Sequence, residues 1–212
     1  MAGGSYTDIS IHVNISVPSF YRVVWETIDA INSSNELAMH FPQTNTECFS
    51  ASEAFKRISY KSAITNCVSV IDGYNPEIHC PPKKKVGNVR AFFSGHKQKD
   101  CVNDQAAVDA HCRFQFIGVA GPGNMRDRQA IKRCGLLELV ESLPGNFVAI
   151  MDCAYAAKVH SCPLFFGNDK LNSWCDNFNF FASQLRIRSE MAFGLLYQKW
   201  GILWRPLRVD IC

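Results

Sequence analysis

Ala63-Ile-Thr-Asn-Cys-Val-Ser-Val-Ile71 is a mostly apolar, β-branched run that halts on Asp72-Gly73. Such a run, bounded by a turn signal, reads as a buried strand with an acid at its end. A second short run, Phe147 to Met151, repeats the arrangement and ends on Asp152. Further on, the spacing predicts a long helix over about 182–199. Its apolar positions are Leu185, Ile187, Met191, Phe193, Leu195 and Leu196, and Glu190 lies in its middle. Neighbouring strand ends and a packed helix can bring three acids from distant positions to one place. Carboxylate oxygens are the donors that hard cations such as Mg²⁺ and Mn²⁺ prefer. Two such ions about 4 Å apart activate an attacking water and stabilise a leaving oxygen, which is the chemistry of phosphoryl transfer. Taken singly, an acid after a strand is more often a turn former or a helix cap, so periodicity alone leaves the three acids open.

Working outward, residues 1–17 alternate apolar and polar (Ile9, Ile11, Val13, Ile15, Val17) and predict an extended strand. Pro18 and Ser19 open a helix over about 18–32, whose Phe20, Val23, Val24, Ile28 and Ile31 form an apolar packing stripe. A short helix is predicted over 50–58, with Ser50 and Glu53 as its capping box. Strand-like runs at about 88–95, 102–109 and 113–120 predict an antiparallel meander, broken by Gly121-Pro122-Gly123. Helices follow over about 125–133 and 135–142, and residues 156–178 read as irregular.

The chain has 212 residues, 47% hydrophobic and 19% charged, which excludes a disordered chain and suits one or two globular domains. A net charge of +3 admits nucleic acid as a partner without arguing for it. The ten cysteines show no C-x-x-C pair and no histidine spacing of a zinc module, and are read as free thiols. Residues 1–10 lack the basic start and apolar core of a signal peptide. No apolar run is long enough to cross a membrane as a helix.

Four segments resemble the DDE-superfamily endonuclease domain of Harbinger-type transposases and their domesticated relatives. They are Cys67-Val-Ser-Val-Ile-Asp72-Gly73 with Ile78 and Pro81-Pro82; Phe116-Ile-Gly-Val-Ala-Gly121-Pro122-Gly123-Asn-Met-Arg-Asp127; Ala149-Ile-Met-Asp152-Cys-Ala-Tyr155; and Phe178 to Gly194 followed by Lys199-Trp200-Gly-Ile-Leu203 and Arg205-Pro206-Leu207. The last is the most specific, an Arg-rich helix carrying E-x-x-F-G and then W-x-I-L. The likeness covers about 60–208.

This resemblance implies an α/β, RNase H-like mixed sheet flanked by helices. It places an N-terminal helical extension at 1–60 and the DDE endonuclease domain at 61–212. It implies Asp72, Asp152 and Glu190 as catalytic residues and as ligands of a divalent metal, Mg²⁺ or Mn²⁺. Asp127 matches a further family acid, expected to steady the site rather than touch the metal. Met151 stands where the family carries glycine. The resemblance also implies helices after Cys212 and a helix-turn-helix region before residue 1. The domain is therefore expected to be cut short at its C-terminus, with a separate DNA-binding partner protein to deliver substrate. Basic residues near the acids, Arg186, Arg188 and Lys199, together with Arg126 and Arg128, are candidates to hold DNA phosphates. Two functions are consistent with these residues. One is a metal-dependent DNA endonuclease of transposase descent, working in the nucleus. The other is a catalytically inactive domesticated relic that binds DNA or protein there.

Overall fold

The computed structural model describes residues 6–209. Three helices come first: α1 (Tyr6–His12), α2 (Val17–Ser33) and α3 (Asn45–Ile58). Where alternation predicted a strand, α1 is helical; the part of that prediction at residues 1–5 lies outside the described residues. The reason is exposure. Ile9, Ile11, Val13 and Ile15 all face solvent, so the alternation marked no buried face, and the backbone satisfies itself locally, as in Val13 N–H to the Ile9 carbonyl at 3.0 Å. The helix predicted over 18–32 is present, capped by Ser16 with Pro18 in its first turn. Its expected packing stripe is not: α2 buries none of its residues, and Tyr21, Val23, Trp25, Ile28 and Ile31 are exposed. α3 starts earlier than predicted. Thr44 and Glu47 form the capping box, not Ser50 and Glu53, because Thr44 has the extended backbone of a cap while Ser50 is already inside the helix.

β1 (Cys67–Tyr74) follows, then the two-residue strands β2 (Phe93–Ser94) and β3 (Lys99–Asp100), which pair only with each other. Next come β4 (Val102–Val108), β5 (Phe114–Pro122), α4 (Asp127–Arg133), α5 (Leu136–Glu141), β6 (Val148–Met151), β7 (Ser161–Pro163) and α6 (Ser173–Lys199). The predicted meander is correct for β4 and β5. Its first run instead makes a 3₁₀ turn at Val89–Phe92 before the short β2. The stretch read as irregular holds β7 and the first turns of α6, which Asn172 caps.

The main sheet has the order β5-β4-β1-β6-β7. β1 lies antiparallel to β4 and parallel to β6, so the sheet is mixed. β1 serves both faces, with an irregularity between Cys67 and Ser69 that shifts its alternation by one residue. Val68 and Ile71 join Leu136, Leu137, Val140 and Met151 in one core, under α4 and α5. Cys67 and Val70 join Ile150, Ala182, Leu185 and Ala192 in the other, under α6. α3 contributes Cys48 to the first core and Phe55 to the second. Each large apolar side chain so buried is worth about 1.5–3 kcal/mol. This is an α/β layering consistent with an RNase H-like fold. The nine described cysteines are free thiols.

One carboxyl sits inside this packing. Asp104 on β4 opposes Tyr74 on β1, is 7% exposed, and its Oδ1 has no hydrogen-bond partner among the described residues. Burial pushes it up to about 7. In the unfolded chain it ionises near 4. Between those values the folded form keeps its proton and the unfolded form does not, so stability falls as pH rises from about 4 to about 7 and then levels off. Asp104→Asn removes that cost. The variant is expected to match the parent near pH 4 and to exceed it at pH 8 by on the order of 2–4 kcal/mol. Urea midpoints at the two pH values check this; a difference independent of pH would refute it.

Candidate active site

The parallel strands β1 and β6 end side by side, and a polar cleft of about 370 Å³ opens at their carboxyl ends. Asp72, Asp127 and Asp152 all line it, with Asn75, Asn103, Asn124 and Arg126. Asp72 is not strictly terminal, since β1 runs on to Tyr74. Asp152 follows β6 directly, and its Oδ1 accepts the Cys153 N–H at 2.7 Å.

Alternation along β1 gives Asp72 and Gly73 different neighbours. Asp72 lies on the α6 face. Its Oδ1 accepts the Gly73 N–H at 2.9 Å, while its Oδ2 accepts from Arg186 Nη1 and from Ser189 Oγ, each at 3.2 Å. Burial raises the Asp72 carboxyl above its ordinary range; the Arg186 guanidinium and the Gly73 amide oppose that shift, and nearby Asp152 adds to it. Gly73 faces the other way. A Cβ there would stand 3.1 Å from Asp127 Oδ1 and 3.2 Å from Gln105 Nε2, so glycine leaves room for a polar network. In that network Asp127 accepts from Asn103 Nδ2 at 3.2 Å and Gln105 Nε2 at 3.4 Å, and Tyr155 donates to Gln105 Oε1 at 2.6 Å. Tyr155 is buried, and its hydroxyl is pushed well up, first by burial and then by Asp127, Asp72 and Asp152.

Glu190 does not line the cleft. It is exposed, and reaches Asp72 only through Arg186, whose Nη2 lies 2.9 Å from Glu190 Oε1. Arg186 thus bridges two of the three predicted ligands. Among the described residues, no three His, Cys, Asp or Glu side chains form a group that could hold a metal ion. The donor chemistry nevertheless fits a hard cation: Asp72 and Glu190 offer only carboxylate oxygens, and a cationic guanidinium already occupies the space between them. Asp72 and Asp152 share the cleft with Asp127, while Glu190 lies outside it on the far side of Arg186.

The basic candidates divide. Arg186 is three-quarters buried in these ion pairs, and Arg188 rests against Met191 Sδ at 3.7 Å. Arg126 lines the cleft, Arg128 lines a separate hollow with Lys132 and Tyr155, and Lys199 is exposed at the end of α6. Met151, which stands where the family carries glycine, packs in the α4–α5 core and does not line the cleft. Sequence reading missed Gln105, Ser189 and the cleft wall formed by Ser94 to Lys97. The Arg186–Glu190 spacing of four residues was a visible signal for the bridge.

Residues 71–212 match the family model described as DDE superfamily endonuclease. No curated protein and no solved structure gives a match.

If Arg186 holds the place of a cation, removing it should both destabilise the metal-free chain and open the site. Arg186→Met is expected to lower stability without divalent ions by on the order of 1–2 kcal/mol, since the pairs are only partly buried. It is also expected to tighten Mn²⁺ binding in a calorimetric titration. Unchanged or weaker Mn²⁺ binding would show that the bridge does not compete for the ligands.

Proposed function

The chain belongs to the DDE superfamily endonuclease family, and from that premise we propose that it is a Harbinger-type, metal-dependent DNA endonuclease working in the nucleus, with Asp72, Asp152 and Glu190 as its catalytic acids. The observation that carries this reading is the meeting of Asp72 and Asp152 in one polar cleft at the ends of paired parallel strands. A divalent ion bound there supplies Lewis-acid stabilisation of the charge that builds on the phosphate and its leaving oxygen. The chain's own residues set up that chemistry. The Gly73 and Cys153 amides each fix one oxygen of an aspartate, and the second oxygen of Asp72 is held by Arg186. Ser189 steadies Asp72 from α6. Asn103 and Gln105 hold Asp127, which orients the floor of the cleft. Arg126, at the rim, is placed to meet a backbone phosphate.

A second reading has one specific observation in its favour. With Arg186 between Asp72 and Glu190, the fold is held together by a fixed guanidinium in place of a metal, as a domesticated relic that binds DNA or protein would permit.

Asp152→Asn separates the two. The substitution keeps the side chain's size and its capacity to accept the Cys153 amide. On the endonuclease reading, Mn²⁺-dependent nicking of supercoiled plasmid falls by about 100-fold or more, the scale of losing a group that stabilises developing charge. Thermal stability stays close to the parent's. Equal nicking by parent and variant, or no Mn²⁺ binding by the parent at millimolar concentration, would sink the catalytic assignment.

A further inference from the structure

The cleft has a second wall that contains no acid. Ser94, Gly95, His96 and Lys97, the turn of the β2–β3 ribbon, line it together with Asp72, Asp127 and Asp152. We propose that this turn is the DNA-gripping wall of the cleft, with Lys97 and His96 positioning one backbone phosphate against Asp72 and Asp152. The proposal rests on the endonuclease reading for its substrate.

Three observations support it. First, the turn is built and anchored. The Gln98 N–H reaches the Ser94 carbonyl at 2.7 Å, and the Lys97 N–H reaches Ser94 Oγ at 3.3 Å. At its base, Cys101 N–H donates to the Phe92 carbonyl at 2.9 Å and Asn124 N–H to the Ala91 carbonyl at 3.0 Å. Phe92, Ser94 and Cys101 are buried. Gly123 packs directly against this base: a Cβ there would stand 2.7 Å from the Cys101 carbonyl oxygen and 2.8 Å from that of Phe92. The ribbon is therefore fixed beside the loop that leads into Asp127, and its tip is held over the cleft.

Second, the tip carries the right groups and they are unspent. His96 and Lys97 are exposed, and among the described residues neither side chain is engaged in an ion pair, whereas Lys99 on the same ribbon pairs with Glu77 at 3.9 Å. Lys97 offers a mobile ammonium and His96 a ring N–H, donors suited to a phosphate oxygen.

Third, the electrostatics favour such a wall, opposite Arg126. Three aspartates in one cleft repel a polyanion. Arg186 is already committed to Asp72 and Glu190, which leaves Arg126 and Lys97 as the basic residues on the cleft lining. An opposing donor on a rigid arm lets a phosphodiester enter and holds it in one orientation, which is how phosphate contacts set register.

The test is metal-free binding of a short fluorescent DNA duplex across a salt series, using the full chain. Lys97→Ala and His96→Ala are compared with the parent, with Lys97→Arg as rescue, and with Lys84→Ala as a control on an exposed loop lysine outside the cleft. For Lys97→Ala the expected result is weaker binding, with the slope of log affinity against log salt reduced by about one. Lys97→Arg restores that slope, His96→Ala weakens binding, and Lys84→Ala leaves the slope unchanged. Melting temperatures stay level, which separates grip from folding. The proposal is overturned if the parent does not bind the duplex, if Lys97→Ala and His96→Ala bind as the parent does, or if Lys84→Ala lowers the slope as much as Lys97→Ala. Because no turnover is measured, a failure of the catalytic assignment, seen as full nicking by Asp152→Asn, is read separately from a failure here.

Discussion

A carboxylate carried on a central strand and mostly withdrawn from water must be answered by charge or by hydrogen bonds, and in this chain Asp72 is answered by Arg186. Much of the architecture follows from that requirement. α6 lies across β1, β4 and β6, and it presents Arg186 and Ser189 to Asp72 from one turn while Leu185 and Ala192 pack into the core beneath. The helix could not slide along the sheet without both leaving the carboxylate bare and lifting its apolar residues out of the core. Packing and electrostatics therefore hold the same register. Tyr74, two residues on, stacks on Phe193 at 4.9 Å and extends that register toward the end of the helix.

The opposite face of the same strand carries a different solution. Gly73 gives up a side chain so that Asp127 and Gln105 can approach, and Tyr155 closes the network from below. Asp127 is thus held by neutral amides, while Asp72 is held by a cation. An acid held by amides keeps its charge turned outward; one held by a guanidinium has it largely neutralised. The cleft consequently contains aspartates of unequal character, a difference that belongs to their surroundings and not to their type.

Much of this was legible in the residues themselves. The run into Asp72 and the run into Asp152 were readable as strands because both are buried on two faces, and continuous burial leaves a continuous apolar record. The long helix was readable from its period, though its first turns were not, because Trp174 and Phe180 are exposed and meet the neighbouring rings of Phe178 and Phe181. α1 and α2 misled for the same physical reason: their apolar residues are exposed, so neither pattern recorded a buried face. At the site, the type and order of the acids could be read, but not their partners. Whether Arg186 faced solvent or Asp72 depended on the crossing of α6 over β1, a relation between elements that no local pattern contains. The ribbon of β2 and β3 was invisible because two-residue strands have no period.

The pairing of β1 with β6 has a further consequence, for the order in which the protein comes into being. Cys67 meets Val148 and Ile71 meets Met151, partners separated by a stretch that holds two helices and four strands. Contacts so remote in the chain close late, after the cost of closing the loop between them has been met. During synthesis, β1 leaves the ribosome long before its parallel neighbour exists, and Asp72 long before Asp152. A nascent chain can therefore hold a finished β1–β4–β5 meander and still lack the cleft altogether. Whatever chemistry the cleft supports is thereby deferred until the chain has been made past β6 and Asp152.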